Sequence, residues 1–369
     1  MNKVLMFSTK EANRGIDLLS PIKRVLESQW YVLGSEVSHF EKEFAEYNGV
    51  GQCVSVANGT DALELGLRAL DIKEGDIVIT TANAGFYSSI ALHLIGAKPV
   101  YVDINPATHT LCINALQKTL KSVKPKAIIV THLYGQLADI EAIVEVANEV
   151  GITVLEDCAQ SHGAKRNGRF AGSFGAIGCF SFYPTKNLGA LGDGGAVITK
   201  DSRIAEKLRQ YRQYGWSSKY RVDLPGGKNS RLDEMQAAIL REKLLYLDGH
   251  NSIRRHIAHL YNQAFENLHL SCPVSLGYDY VAHLYVIQVN NRDSFRSFLN
   301  THGIMTDIHY PIPDHLQSAY ICEQKRDAVP ITEKVCDKVV SLPCFPGMEE
   351  EDIKRVIKTV SLYFQQGGE

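Results

Sequence analysis

The chain has 369 residues, and its 39 Lys plus Arg stand against 41 Asp plus Glu, a formal net charge of −2. The length predicts two or three domains, 45% apolar residues suffice for a sizeable core, and the balanced charge leaves no basic field for nucleic acid. The start MNKVLMFSTKEANRG has no apolar leader region, and no later stretch reaches the ~20 apolar residues of a spanning helix. We therefore expect a cytoplasmic protein with neither a membrane nor a nucleic acid as partner. The eight cysteines, at 53, 112, 158, 179, 272, 322, 336 and 344, include no CxxC pair, which predicts reduced thiols and no metal site.

Val37, Phe40, Phe44 and Tyr47 recur at spacings of 3, 4 and 3, one face of a packing helix. From residue 50 to 200, short β-branched runs alternate with helix-length segments. Strands are predicted at 53–56, 77–80, 99–102, 127–131, 153–155, 179–182 and 196–199, with helices such as 60–69 and 140–150 between them. This is the pattern of an α/β fold around a mostly parallel, buried sheet. Beyond Thr199, helices are predicted over 203–214 and from Ser230, as N-cap with Asp233 three residues on, to about 247. A smaller α+β module follows, with a helix from about Gly249, a strand at 282–290, a helix at 292–301 and an extended stretch at 306–309 before Tyr310-Pro311-Ile312-Pro313. The expected domains are 1–248 and 249–369, packed together because no Gly/Ser linker separates them.

Three segments carry chemistry. In Glu156-Asp157-Cys158-Ala159-Gln160-Ser161-His162, an acidic pair ends an apolar strand, where open α/β sheets place their ligands. In Phe182-Tyr183-Pro184-Thr185-Lys186-Asn187-Leu188-Gly189, a lysine follows a strand and a Pro-Thr turn, where burial would lower its pKa and make it a nucleophile for a carbonyl. In Ala57-Asn58-Gly59-Thr60-Asp61, a strand turns into a helix whose free amides suit a phosphate. The glycines match neither GxGxxG nor the P-loop, so a monophosphate fits better than a dinucleotide or ATP. A phosphate cradle, a strand-end carboxylate and a lysine are the parts that hold pyridoxal 5′-phosphate.

The segments ANGTDAL, HLYGQLAD, EDCAQSHGA, FSFYPTKNLGALGDGGAV and NSRLDEMQAAIL, with HYPIP and Leu342-Pro343 further on, together resemble the DegT/DnrJ-type nucleotide-sugar aminotransferases. These are fold-type-I, aspartate-aminotransferase-like enzymes, and the likeness is greatest to dTDP-3-keto-6-deoxyhexose 3-aminotransferases. The resemblance implies that Lys186 forms the Schiff base with the cofactor and that Asp157 pairs with its pyridinium nitrogen. Gln160 would lie near the ring oxygen, while Gly59, Thr60 and Ser181 hold the phosphate. Asn229 would reach the phosphate in a neighbouring subunit, making a homodimer with shared sites. His162, Tyr183, Lys219, His309 and Tyr310 would border the sugar nucleotide. In place of the stacking aromatic that the family usually carries two residues after the asparagine of a PANTY-like segment, Thr81-Ala82-Asn83-Ala84-Gly85-Phe86-Tyr87 has Gly85. Phe86 or Tyr87 is then expected to cover the cofactor ring.

The resemblance thus implies a transaminase that moves the amino group of L-glutamate to a nucleotide-linked keto-sugar, most simply dTDP-3-keto-6-deoxyhexose, for deoxyamino sugars such as those of lipopolysaccharide O-antigens. The alternatives are amination at C4 of a dTDP- or UDP-4-keto sugar, and a non-catalytic regulator on the same fold. Retention of both Lys186 and Asp157 argues against the regulator.

Overall fold

The structure, a computed structural model, describes residues 3–320 and 328–368, so Cys322 lies outside the described residues. One seven-stranded sheet has the order Gln52–Val56, Gly195–Thr199, Ile177–Ser181, Thr153–Asp157, Ala127–Thr131, Ile77–Thr80, Lys98–Tyr101. Gly195–Thr199 runs antiparallel to both of its neighbours, and the remaining pairs are parallel. The strands are apolar on both faces because helices cover both. Along Ala127–Thr131, Ala127 and Ile129 join the core shared with the helix Gly59–Ala69, while Ile128 and Val130 face the core of the helix Ile140–Glu149. The helix Ser35–Tyr47 packs as its spacing predicts: the rings of Phe40 and Phe44 meet those of Phe180 and Phe182 edge-on at 5.0–5.4 Å.

The parallel strands bring their C-terminal ends to one edge of the sheet, which is where their outgoing loops gather. The loop 182–194 joins two antiparallel neighbours, so it leaves from that edge and returns to it.

A second core is built around the two-stranded sheet of Tyr285–Gln288 and Val339–Leu342, with Tyr261, Phe265, Phe295, Val356 and Val360 packed on it. Val4 belongs to this core and bridges Ile304, so the N-terminal segment crosses to the C-terminal part of the chain. The helix Leu247–Phe265 starts in the large core through Leu247 and continues in the second through Ile257 and Tyr261. The expected division between 248 and 249 falls in its first turn.

Three expected elements are corrected. Ser230 is no helix cap: the helix spans Glu234–Leu244 behind Asp233, and the buried Ser230 hydroxyl donates to Asp61 Oδ2 at 2.6 Å and accepts from Ala57 N at 3.1 Å. A tertiary partner has taken the side chain that a cap would use. The strand predicted at 282–290 shortens to Tyr285–Gln288, since Ala282 has φ 44°, outside the extended region. The stretch 306–309 contributes a single bridge, Asp307 to Ser341, rather than a strand.

Candidate active site

Successive residues of a strand face opposite sides of the sheet, so the acidic pair at the end of Thr153–Asp157 divides its roles. Glu156, fully buried, accepts from the amides of Gly172, Phe174 and Gly175 at 2.6–2.8 Å and pairs with His132 Nε2 at 2.9 Å. Ala138 N donates to His132 Nδ1, so Nε2 carries the proton and donates to Glu156. Glu156 ties a loop to the sheet. His132, Glu156 and Cys158 have ligand atoms within 4.8 Å of one another, yet the carboxylate oxygens are already occupied by these donors.

Asp157 points the other way, into a cavity of about 1080 Å³. Its carboxylate accepts from Ala159 N at 3.1 Å and, at longer range, from Thr131 Oγ1 at 3.3 Å and Ser88 Oγ at 3.5 Å. Burial pushes its pKa up, opposed by the Ala159 amide and the Lys186 charge.

Lys186 sits on the loop 182–194, its backbone amide donating to Tyr183 O at 2.8 Å. Its side chain lines the same cavity as Asp157. Burial lowers its pKa to about 8 against the opposing pull of Asp157, so near neutral pH an appreciable fraction of the amine is free to act as nucleophile or base.

The helix Gly59–Ala69 starts at this edge. Asn58 caps it by accepting from Asp61 N at 2.8 Å, which leaves the amides of Gly59 and Thr60 without a partner among the described residues. A Cβ at residue 59 would lie 2.6 Å from Ser181 Cβ, so only glycine lets the helix start approach the serine. Gly59, Thr60 and Ser181 all line the cavity. Gln160 also lines it; its Oε1 accepts from Tyr134 N at 2.6 Å and its Nε2 donates to Tyr310 OH at 3.1 Å, leaving one N–H for a ligand.

Tyr87, Tyr183, His309 and Tyr310 line the cavity as well. His309 pairs through Nδ1 with Ser341 Oγ at 2.8 Å, and burial lowers its pKa. Four expected residues lie elsewhere. The Phe86 ring stacks on Tyr320 and His93 at 4.9 and 5.9 Å, because residue 86 has φ 69° and Asp314 Oδ1 accepts from its amide. His162 is buried against Phe180 and Phe182, where burial holds it neutral with a pKa lowered to about 3. Lys219 is exposed near the hairpin of Trp216–Ser218 and Arg221–Val222, and Asn229 is exposed beside Gln213.

One cavity residue carries no signal in the sequence. His283 lines the wall near Lys186, and its Nδ1 lies 3.0 Å from Asn187 Oδ1. Asn187 Nδ2 already donates to Asn251 Oδ1 and Val281 O, so its Oδ1 is the acceptor and His283 carries its proton on Nδ1. A strand over 282–290 offers no local reason for this histidine to stand beside Lys186.

The DegT/DnrJ/EryC1/StrS aminotransferase family matches residues 15–361. The chain belongs to this family. It is 46% identical over 348 residues to the dTDP-3-amino-3,6-dideoxy-alpha-D-galactopyranose transaminase of Aneurinibacillus thermoaerophilus, covering 94% of this chain and 95% of that one. Among solved structures it is similar to DesV of S. venezuelae in complex with a ketimine intermediate, with a TM-score of 0.94, 40% identity and coverage of 98% and 99% of the two chains. It is also similar to NtdA of Bacillus subtilis with bound cofactor PMP, with a TM-score of 0.92, 30% identity and coverage of 99% and 86%.

As a DegT/DnrJ/EryC1/StrS aminotransferase, the protein is a pyridoxal phosphate enzyme, and its residues fit that group. The buried Asp157 carboxylate has no ion-pair partner within 4.0 Å among the described residues, as suits a site that receives a cationic ring nitrogen. The free amides of Gly59 and Thr60 suit a phosphate, and Lys186 lines the same cavity. No helix among the described residues is long and apolar enough to cross a membrane.

Proposed function

We propose that the protein transfers the amino group of L-glutamate to C3 of a dTDP-3-keto-6-deoxyhexose, giving a dTDP-3-amino-3,6-dideoxyhexose. The observation that carries this reading is the 46% identity, over nearly the full length of both chains, to a transaminase named for a dTDP-3-amino-3,6-dideoxyhexose. The cofactor, when bound, supplies the electron sink for the pair released as a Cα–H bond breaks. With the group in place, Lys186 Nζ would take the proton from Cα of the donor as base and give it up again as acid, and would serve in the same two roles, in reverse order, when the keto-sugar is aminated. Asp157 would hold the proton on the ring nitrogen, and Gln160, with one N–H left free, would donate to the ring oxygen. Gly59, Thr60 and Ser181 would hold the phosphate at the helix start. Tyr183 and His309 border the sugar nucleotide from the cavity rim.

C3 and C4 attack differ by moving the hexose about one bond length, and a misplacement of that size costs on the order of 10²-fold in rate. With dTDP-3-keto- and dTDP-4-keto-6-deoxyglucose supplied separately with glutamate, NMR of the product is expected to place the new amine at C3. Amination of only the 4-keto sugar would reject this substrate and leave the transaminase in place.

We also propose a homodimer with shared sites, to which the partner copy brings Asn229 and Lys219. Both are exposed and outside their own chain's cavity, and Arg231 and Trp216 stack around Tyr214 beside them. Mixing inactive Lys186→Ala subunits with a severely impaired Asn229→Ala variant is expected to restore up to about one quarter of parental activity after random exchange, because hybrid dimers contain one intact site. No recovery after demonstrated exchange would place Asn229 in its own subunit's machinery.

A further inference from the structure

The cavity has an aromatic wall at a place where the TANAGFYSS segment offers none. Gly85, at φ 74°, has no side chain, and Phe86 is turned away to Tyr320 and His93. Asp314 fixes that direction, accepting from Phe86 N at 2.9 Å and Ser89 Oγ at 2.6 Å. Tyr87 is half exposed and meets Tyr310 only edge-on, at 6.1 Å. The ring pressed against Gly85 is that of Tyr310: a Cβ at residue 85 would lie 2.8–2.9 Å from its Cδ1, Cε1 and Cζ. Tyr310 is held at its other end by Gln160, whose Nε2 donates to its hydroxyl at 3.1 Å and whose Oε1 is itself fixed by Tyr134 N. Tyr134 in turn donates its hydroxyl to His309 O, so the backbone just before Tyr310 is also anchored.

From this arrangement we infer that Gly85 and Tyr310 act as a pair: the missing side chain at 85 makes room for the Tyr310 ring, which covers one face of the cofactor ring. The inference rests on the cofactor site described above and reassigns Tyr310 from a sugar contact to a cofactor contact. A stacked aromatic adds about 1 kcal/mol, or roughly fivefold in affinity. Because the Gln160 bond supports the ring from the side, the ring rather than the hydroxyl is the contributing group. Gly85 contributes by its absence of a Cβ, so its effect must pass through Tyr310.

The test uses apoenzyme titrated with pyridoxamine phosphate, which binds without a covalent link to Lys186 and so reports ring contacts directly. Tyr310→Ala is expected to raise the Kd about fivefold and to change the near-ultraviolet circular dichroism of the bound cofactor. Tyr310→Phe, which keeps the ring, should stay within about twofold of the parent, and Tyr87→Ala should not change the Kd. Gly85→Ala should weaken binding in the parent but add nothing in the Tyr310→Ala background, a non-additivity that two independent effects do not give. Thermal unfolding of each variant separates loss of fold from loss of contact. The inference is overturned if Tyr310→Ala keeps the parental Kd, if Tyr310→Phe loses as much as Tyr310→Ala, or if the loss follows Tyr87 instead. Failure of the parental protein to bind pyridoxamine phosphate would instead sink the cofactor site itself.

Discussion

Replacing Lys186 by alanine is expected to yield a folded, colourless protein with no measurable transamination, a loss of at least roughly 10⁴-fold. The amine lines the cavity and, in the proposed function, is its nucleophile and base. Burial lowers its pKa to about 8, and among the described residues Asp157 pulls it back up. The loop itself is held by contacts that do not involve this amine, including the Lys186 amide to Tyr183 O and the Asn187 side chain to Asn251 and Val281. The fold should therefore survive. The parent incubated with pyridoxal phosphate should show a yellow absorbance that borohydride bleaches while fixing the cofactor to residue 186, as read by peptide mass. If the alanine variant still transaminates at the parental rate, or if the label appears on another lysine, the assignment of Lys186 fails.

Asp157→Asn is expected to keep the cofactor and lose roughly 10³-fold or more in turnover, the size associated with removing a preorganised charge-stabilising group. Asparagine preserves the shape and can still accept from Ala159 N, so the thermal midpoint should move by only a few degrees. What it removes is the charge. Burial already raises the Asp157 pKa, and a cation on the cofactor's ring nitrogen is the interaction that would keep the carboxylate ionised. The neutral amide cannot hold that proton, so the ring becomes a weaker electron sink in both half-reactions. Stopped-flow measurement of the glutamate half-reaction and of the sugar half-reaction should show both slowed. A variant that slows one half-reaction alone would make Asp157 a substrate contact instead.

Asp157 and Lys186 are placed by local chain direction: one ends a strand, the other lies on the loop between adjacent antiparallel strands, and both sites open at the same sheet edge. Gly59, Thr60 and Ser181 follow for the same reason, since a strand-to-helix turn must leave amides free at the helix start. Phe86 and His162 did not follow, because side-chain direction at those positions is decided by distant partners. Asp314 and Tyr320 capture Phe86, and the Phe180–Phe182 packing encloses His162.

By itself, the sequence determined the strands 77–80 and 127–131 to the residue, the α/β alternation, the helix of Phe40 and Phe44, and the placing of a lysine, a strand-end carboxylate and free helix-start amides at one sheet edge. Each of these depends on hydrophobic period, turn chemistry or backbone hydrogen bonding over a few residues, all of which are written locally. Only the tertiary structure decided that Ser230 bonds Asp61 instead of capping a helix, that His283 stands beside Lys186, and that the Tyr310 ring occupies the space left by Gly85. Those outcomes are set by which groups from remote parts of the chain compete for one buried space. In that competition a buried hydroxyl or ring takes the partner that satisfies it best, whatever its own neighbours along the chain would favour.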